Sequence, residues 1–247
     1  MQQVIFEDLG QKAYKETWDY QESLLKKNID VKSTLRKLQT VGAEDMTNDQ
    51  RSTTNYLLFV EHSPVYTLGK NGSEDNILIS NEQLKINGIE FYHINRGGDI
   101  TFHGPEQLVG YPILDLEKFK TDIGWYLRSL EEVIILTMAE YGLIGERSKG
   151  ETGVWIEPGI KGKERKICAI GIKCSRWITM HGFAFNVNTD LGFFNNIIPC
   201  GIQNKQVTSL EKELGKKVSM DEVKEKMKRN FENVFECRLI LVSRKVE

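Results

Sequence analysis

The stretch Ile89-Glu90-Phe91-Tyr92-His93-Ile94-Asn95-Arg96-Gly97-Gly98-Asp99-Ile100-Thr101-Phe102-His103-Gly104-Pro105 places a charged, glycine-containing turn after a strand-forming run. The adjacent glycines let the backbone take positive φ and remove side chains that would hold a ligand away. Beyond the turn, Leu108-Val109-Gly110-Tyr111-Pro112-Ile113-Leu114 reads as another strand. A plain hairpin accepts Asn-Gly and polar filler. Arg96, Asp99, Thr101, His103 and Pro105 instead mark a pocket wall, so the segment predicts a tight, functional turn inside a sheet.

Outward from this turn, Tyr56–Glu61 and the run through Val65–Gly69 read as strands, as do Gly153–Ile156, Lys166–Lys173 and His181–Asn188. Ile123, Leu127, Leu130, Ile134, Met138 and Tyr141 recur at helical spacing from Asp122, and Gly142 stops them. Met220–Phe235 is an amphipathic helix with Val223, Met227, Phe231, Val234 and Phe235 inward. Leu9–Lys27 reads as a helix with Asp8 as its N-cap. The segment Asn28–Asn55 is polar, with one short helical stretch near Leu35–Leu38 and a loop from Asp45 to Thr54. Unequal spacing gives no βαβ repeat. The order predicts an α+β (mixed α/β) fold with helices packed to one side of a sheet, in a single domain spanning 1–247.

A formal net charge of −2 argues against a general nucleic-acid binder. No stretch approaches the ~20 apolar residues that span a bilayer. Met1–Asp8 lacks the basic start and apolar core of a signal peptide, so a cytoplasmic protein without a membrane segment is expected. Four cysteines without a Cys-x-x-Cys pair, and four scattered histidines, point to reduced thiols and no metal site.

Cys200 lies between Pro199 and Gly201, in a loop after an apolar run. Local context allows a nucleophile with one side opened, or the small buried hydrophobe that most free cysteines are. Cys168 sits inside a strand run, and Cys174 and Cys237 have no supporting motif. With regular alternation Lys166 shares a face with Cys168, Ile170 and Ile172. A strand-end amine reaching water explains Lys166 equally well. Lys161 and Lys163 crowd the same region, and spacing does not choose among the three lysines. His103 and His181 read either as catalytic groups or as hydrogen-bonded structural histidines.

In order, Arg96–Pro105, Lys166-Ile167-Cys168-Ala169-Ile170-Gly171-Ile172-Lys173, Thr179–Asn188 and Ile197-Ile198-Pro199-Cys200-Gly201-Ile202 resemble the octanoyltransferases of lipoate biosynthesis. The resemblance runs from about Tyr56 to about Leu210. It implies the fold of biotin and lipoate protein ligases, a central mixed sheet with packed helices. It also implies transfer of an octanoyl group from octanoyl-acyl carrier protein to a lysine of lipoyl domains, in 2-oxoacid dehydrogenase complexes and the glycine cleavage H protein. No cofactor or metal is implied. Cys200 would be the nucleophile and Lys166 its catalytic partner. The substrate wall would be Arg96, Gly97, Gly98, Asp99, Ile100, Thr101, Phe102, His103, Ala169, Ile170, Gly171, Gly182, Phe183 and Ala184. Against that family the connection at about 28–55 is long and reads as a polar insertion. Two other classes fit parts of the pattern: an ATP-dependent lipoate or biotin ligase of the same fold, and a catalytically silent carrier-protein-binding module. A ligase would not need Cys200, and a silent module need not keep both Lys166 and Cys200.

Overall fold

Strands rich in apolar residues at every position, such as Tyr56-Leu57-Leu58-Phe59-Val60, have no solvent face to offer, so a sheet built from them needs cover on both sides. The computed structural model describes residues 1–41, 52–198 and 206–241, with backbone alone for 39–41. In chain order the elements are β1 (Gln2–Lys12), α1 (Tyr14–Val41), β2 (Asn55–His62), β3 (Val65–Leu68), α2 (Asn81–Ile86), β4 (Glu90–His93), β5 (Ile100–His103) and β6 (Gln107–Ile113). Then come α3 (Ile123–Ala139), β7 (Glu146–Ser148), β8 (Glu151–Ile156), β9 (Arg165–Ser175), β10 (Ile178–Asn186), β11 (Gln206–Val207), α4 (Leu210–Leu214), α5 (Met220–Phe235) and β12 (Cys237–Leu241).

The large sheet has the order β12-β1-β2-β6-β10-β9-β8-β7, with β11 paired to β9. It is mixed: β1 is parallel to β2 and β12, and β11 to β9, while the other pairs are antiparallel. On one face Leu57, Phe59 and Phe185 pack against Leu130, Ile134, Met227 and Phe231 of α3 and α5. On the other, Leu24 and Leu25 of α1 cover Tyr56, Leu58, Val109, Tyr111 and Met180. Helices therefore sit on both faces, where the sequence order predicted one. Both apolar faces of β2 require it.

The N-terminus also differs from expectation. Residues 9–12 are strand, and the helix starts at Tyr14. Val4 and Phe6 are buried in the core, and β1 is hydrogen-bonded on both edges. Asp8 accepts from the Gly10 N–H at 3.0 Å, where the β1–β2 register shifts, and caps no helix. Helix α1 then runs past the expected Lys27 because its polar residues find buried partners. The Asn28 amide exchanges two hydrogen bonds of 2.8 Å with the Thr54 backbone. Lys32 pairs with Asp115 at 2.6 Å, both almost wholly shielded from water. Most of the expected 45–54 loop lies outside the described residues.

A small sheet, β4-β3-β5, stands beside the large one. The Arg96–Asp99 turn therefore joins two strands that flank β3 and are not neighbours. It crosses the end of β3, where Lys70 N–H donates to Arg96 O (3.0 Å) and Asn71 N–H to Gly98 O (3.2 Å). The strand at Leu108 belongs to the large sheet. Among the described residues no helix is long and apolar enough to cross a membrane.

Candidate active site

One cavity of about 440 Å³ lies between the large sheet and the Arg96–Asp99 turn. Its floor is made of small residues on adjacent strands. Gly171 of β9 pairs with Gly182 of β10, and Ala169 with Ala184. A Cβ at Gly182 would lie 2.1 Å from Gly110 O, so only glycine lets β10 and β6 approach here. A Cβ at Gly171 would meet Gly97 O at 2.9 Å, which explains how the turn seats on β9. Gly97 N–H donates to Ile172 O at 2.9 Å and fastens it there.

The structure brings Arg96–Thr101, His103, Lys166, Ala169–Gly171 and Gly182–Ala184 to the wall of this single cavity. The charged members of the turn brace it. Arg96 donates to Thr67 O (2.8 Å), Thr67 Oγ1 (3.0 Å) and Gly97 O (3.0 Å). Asp99 accepts from Asn76 Nδ2 (2.7 Å) and from the Ile100 N–H (2.7 Å). Phe102, expected in the substrate wall, does not line the cavity. Alternation along β5 turns it away from Thr101 and His103. It stacks on Phe193 at 4.6 Å, in a core with Tyr66 and Phe194.

Lys166 sits near the start of β9. The register with β8 pairs Trp155 with Lys166 and Val154 with Cys168, so one step on β8 spans two on β9. This bulge breaks the regular alternation on which a shared Lys166–Cys168 face was expected. Ile167 and Cys168 are both buried in the α3/α5 core, while Lys166 and Ala169 line the cavity. The Lys166 ammonium lies 4.5 Å from the centroid of the Trp155 ring, a cation–π contact. On the other edge of β9, Thr208 N–H donates to Lys166 O at 2.9 Å. Burial pushes the Cys168 thiol far above its ordinary range, and pushes Cys237 up to about 12. Neither has thiolate character. Cys200 lies outside the described residues; Phe194, Gln206 and Val207, from the flanking described chain, line the cavity.

The opposite end is closed by rings. Lys12 O can only accept, so His62 Nδ1 donates to it (2.9 Å) and His62 Nε2 accepts the Tyr111 hydroxyl (2.8 Å). Gln107 Nε2 donates to Asn186 Oδ1 (2.9 Å), which leaves Gln107 Oε1 to accept from His103 Nδ1 (2.9 Å). Asn95 Nδ2 donates to Glu22 (3.0 Å), and its oxygen accepts from His181 Nε2 (2.9 Å). Burial holds all three histidines neutral: His62 is pushed down to about 4, His181 to about 3, and His103 well below its usual value. Arg96 adds to the depression at His103 and His181. Hydrogen-bonded histidines without charge fit the structural alternative and leave no imidazolium at this end.

Several cavity residues were not picked out in the sequence. Asn186 continues the alternation of Gly182 and Ala184, a signal that was present. Gln107 lies four residues after His103, just past the turn motif. Tyr14 carried no signal while its segment read as the middle of a helix.

A family model for the lipoyl protein ligase A/B catalytic domain matches residues 13–232. An octanoyltransferase of Flavobacterium psychrophilum is 57% identical over 96% of this chain and 98% of its own length. One from Christiangramia forsetii is 56% identical over 96% and 97%. The chain belongs to the octanoyltransferase family. Its fold is shared with a solved bipartite lipoate protein ligase of Thermoplasma acidophilum, at TM-score 0.67 and 17% identity, covering 99% of this chain and 89% of that one. Octanoyltransferases are acyltransferases, and a cavity floored by glycine and alanine suits an unbranched acyl chain.

Proposed function

We propose that the protein takes an octanoyl group from the phosphopantetheine thioester of acyl carrier protein and joins it to a lysine of a lipoyl domain. The observation that carries this reading is the position of Lys166, a cation on the wall of a cavity whose floor is small and whose far-end histidines are neutral. Cys200, in its Pro-Cys-Gly setting, attacks the thioester carbonyl as thiolate. The carbon–sulfur bond to the carrier breaks, the carrier leaves as thiol after taking a proton from the Lys166 ammonium, and the acyl group stays on Cys200 as a new thioester. The ammonium of Lys166 favours the thiolate before this step. In the second step the amine of the lipoyl-domain lysine attacks, Lys166 in its neutral form accepts the amine proton, and Cys200 leaves as thiolate. Replacing a thioester by an amide runs downhill, so the reaction needs no ATP.

The acceptors on this reading are the lipoyl domains of 2-oxoacid dehydrogenase complexes and the glycine cleavage H protein, and the reaction takes place in the cytoplasm, where carrier-protein thioesters are made. Residues 1–247 act as one catalytic domain, with 28–55 as an insertion; one continuous sheet from β12 to β7 supports the single unit.

Intact mass spectrometry after mixing with octanoyl-acyl carrier protein, without ATP, tests the route. An octanoyl adduct is expected on the parent and none on Cys200→Ala, with transfer to a lipoyl domain falling at least about a thousandfold. An adduct-free parent that octanoylates a lipoyl domain only with free octanoate and ATP would make the protein a ligase.

A further inference from the structure

The cavity has two unlike ends. At the Lys166 end Glu151 and Thr152 are half-buried and Gln206 is exposed, so this end admits a ligand. At the other end Tyr14, Tyr111, His103 and His181 are only 1%, 3%, 7% and 2% exposed. An acyl chain whose carbonyl reacts beside Lys166 therefore runs inward with its methyl end toward these rings.

We propose that Tyr14, at the blind end, sets the length of acyl chain the enzyme accepts. The inference rests on the acyl-transfer reading above and adds the residue that selects the substrate. Tyr14 comes from the first turn of α1 and cannot swing aside. Its ring lies parallel to that of His103 at 5.9 Å, with only 5° between the planes, stacks on Tyr92 at 5.6 Å, and meets the edge of His62 at 5.2 Å. Tyr92 and His62, which do not line the cavity, thus back the ring, and His103 flanks it as part of the cavity wall. Gly171 pairs with Gly182, and Tyr111 lies one residue beyond the Phe183–Gly110 pair. From Lys166 to Tyr111 the floor therefore spans two strand spacings and about five residues of rise, roughly 19 Å between backbones. A lysine and a tyrosine side chain reach inward from its ends, and the space between them suits a medium acyl chain.

Chemistry reinforces the stop. The polar atoms around Tyr14 are already spent on one another, with the Tyr111 hydroxyl on His62, His103 on Gln107 and His181 on Asn95. A methyl group pushed among them would have to break these bonds without replacing them, which costs more than the apolar contact returns. Behind Tyr14 lie Tyr92 and Trp18, both partly buried apolar surfaces. Removing the ring opens the way to them.

The test measures kcat/KM for transfer from octanoyl-, decanoyl- and dodecanoyl-acyl carrier protein by the parent, Tyr14→Phe and Tyr14→Ala. The parent should decline beyond eight carbons. Tyr14→Ala should raise the decanoyl-to-octanoyl ratio about sixteenfold, since each of the two newly accommodated methylenes contributes about fourfold. Tyr14→Phe should keep the parent's profile, because the ring and not the hydroxyl is the stop. If Tyr14→Ala does not fold, Tyr14→Leu should show a smaller shift in the same direction. Octanoyl transfer with an unmoved profile in the folded variants, or a Tyr14→Phe shift equal to that of Tyr14→Ala, overturns this inference alone. A parent unable to use octanoyl-acyl carrier protein at all overturns the proposed function instead.

Discussion

The two ends of the cavity are built from opposite materials. At the Lys166 end a cation rests on Trp155, beside half-buried and exposed polar residues. At the blind end three histidines and two tyrosines are packed away from water, and burial keeps every one of these histidines neutral. The contrast shows that counting titratable residues does not locate chemistry. The end richer in histidine offers no imidazolium, and the Arg96 guanidinium beside it is bonded to Thr67 and Gly97, whereas one lysine at the open end keeps access to water and to incoming groups.

Exchanging the open end's cation for an isosteric apolar chain should have the largest effect. Lys166→Met is expected to lower transfer by a factor of about 10²–10³, the usual contribution of a positioned acid–base group. It should also move the pH profile of Cys200 alkylation to higher pH. Parent-like alkylation would leave Lys166 no part in forming the thiolate, and the distinction between the ends would lose its chemical content.

The floor shared by both ends comes next. Gly182→Ala places a Cβ 2.1 Å from Gly110 O, a backbone atom that cannot step aside cheaply. A destabilisation of about 2–3 kcal/mol is expected, or a melting temperature lower by roughly 5–10 °C. An unchanged melting curve would mean that β6 and β10 need not approach as closely as described.

The blind end should report itself through stability more than through rate. His62 is pushed from an ordinary 6.5 down to about 4, chiefly by burial. Between those values the unfolded chain binds a proton that the folded chain refuses, so stability falls as pH drops through that window. Each pH unit corresponds to about 1.4 kcal/mol at most. His62→Gln should flatten the slope of stability against pH between 6.5 and about 4 in urea titrations, without abolishing it, because His103 and His181 remain. Equal slopes in parent and variant would mean that His62 is not held neutral.

Much of this molecule was legible in its residues. The helices at 123–139 and 220–235 follow from apolar spacing, with Gly142 at φ 75° ending the first, and the strands at 56, 153, 166 and 181 from apolar runs. The octanoyltransferase family was legible from four short motifs in order. Less legible was whatever depends on pairing partners. Residues 9–12 look helical alone but extend a strand held on both edges by β2 and β12, the latter contributed by residues 237–241. Asn28 and Lys32 look like loop residues until Thr54 and Asp115 appear beside them.

Local periodicity and motif order, which act over a few residues, determined the main helices, most strands, the glycine-rich turn and the family. Tertiary structure alone decided that helices cover both sheet faces, that a bulge separates Lys166 from Cys168, that Phe102 belongs to a core, and that Tyr14 closes the cavity. Each of those outcomes depends on contacts between segments far apart in the chain, and burial, register and charge state are properties of such contacts.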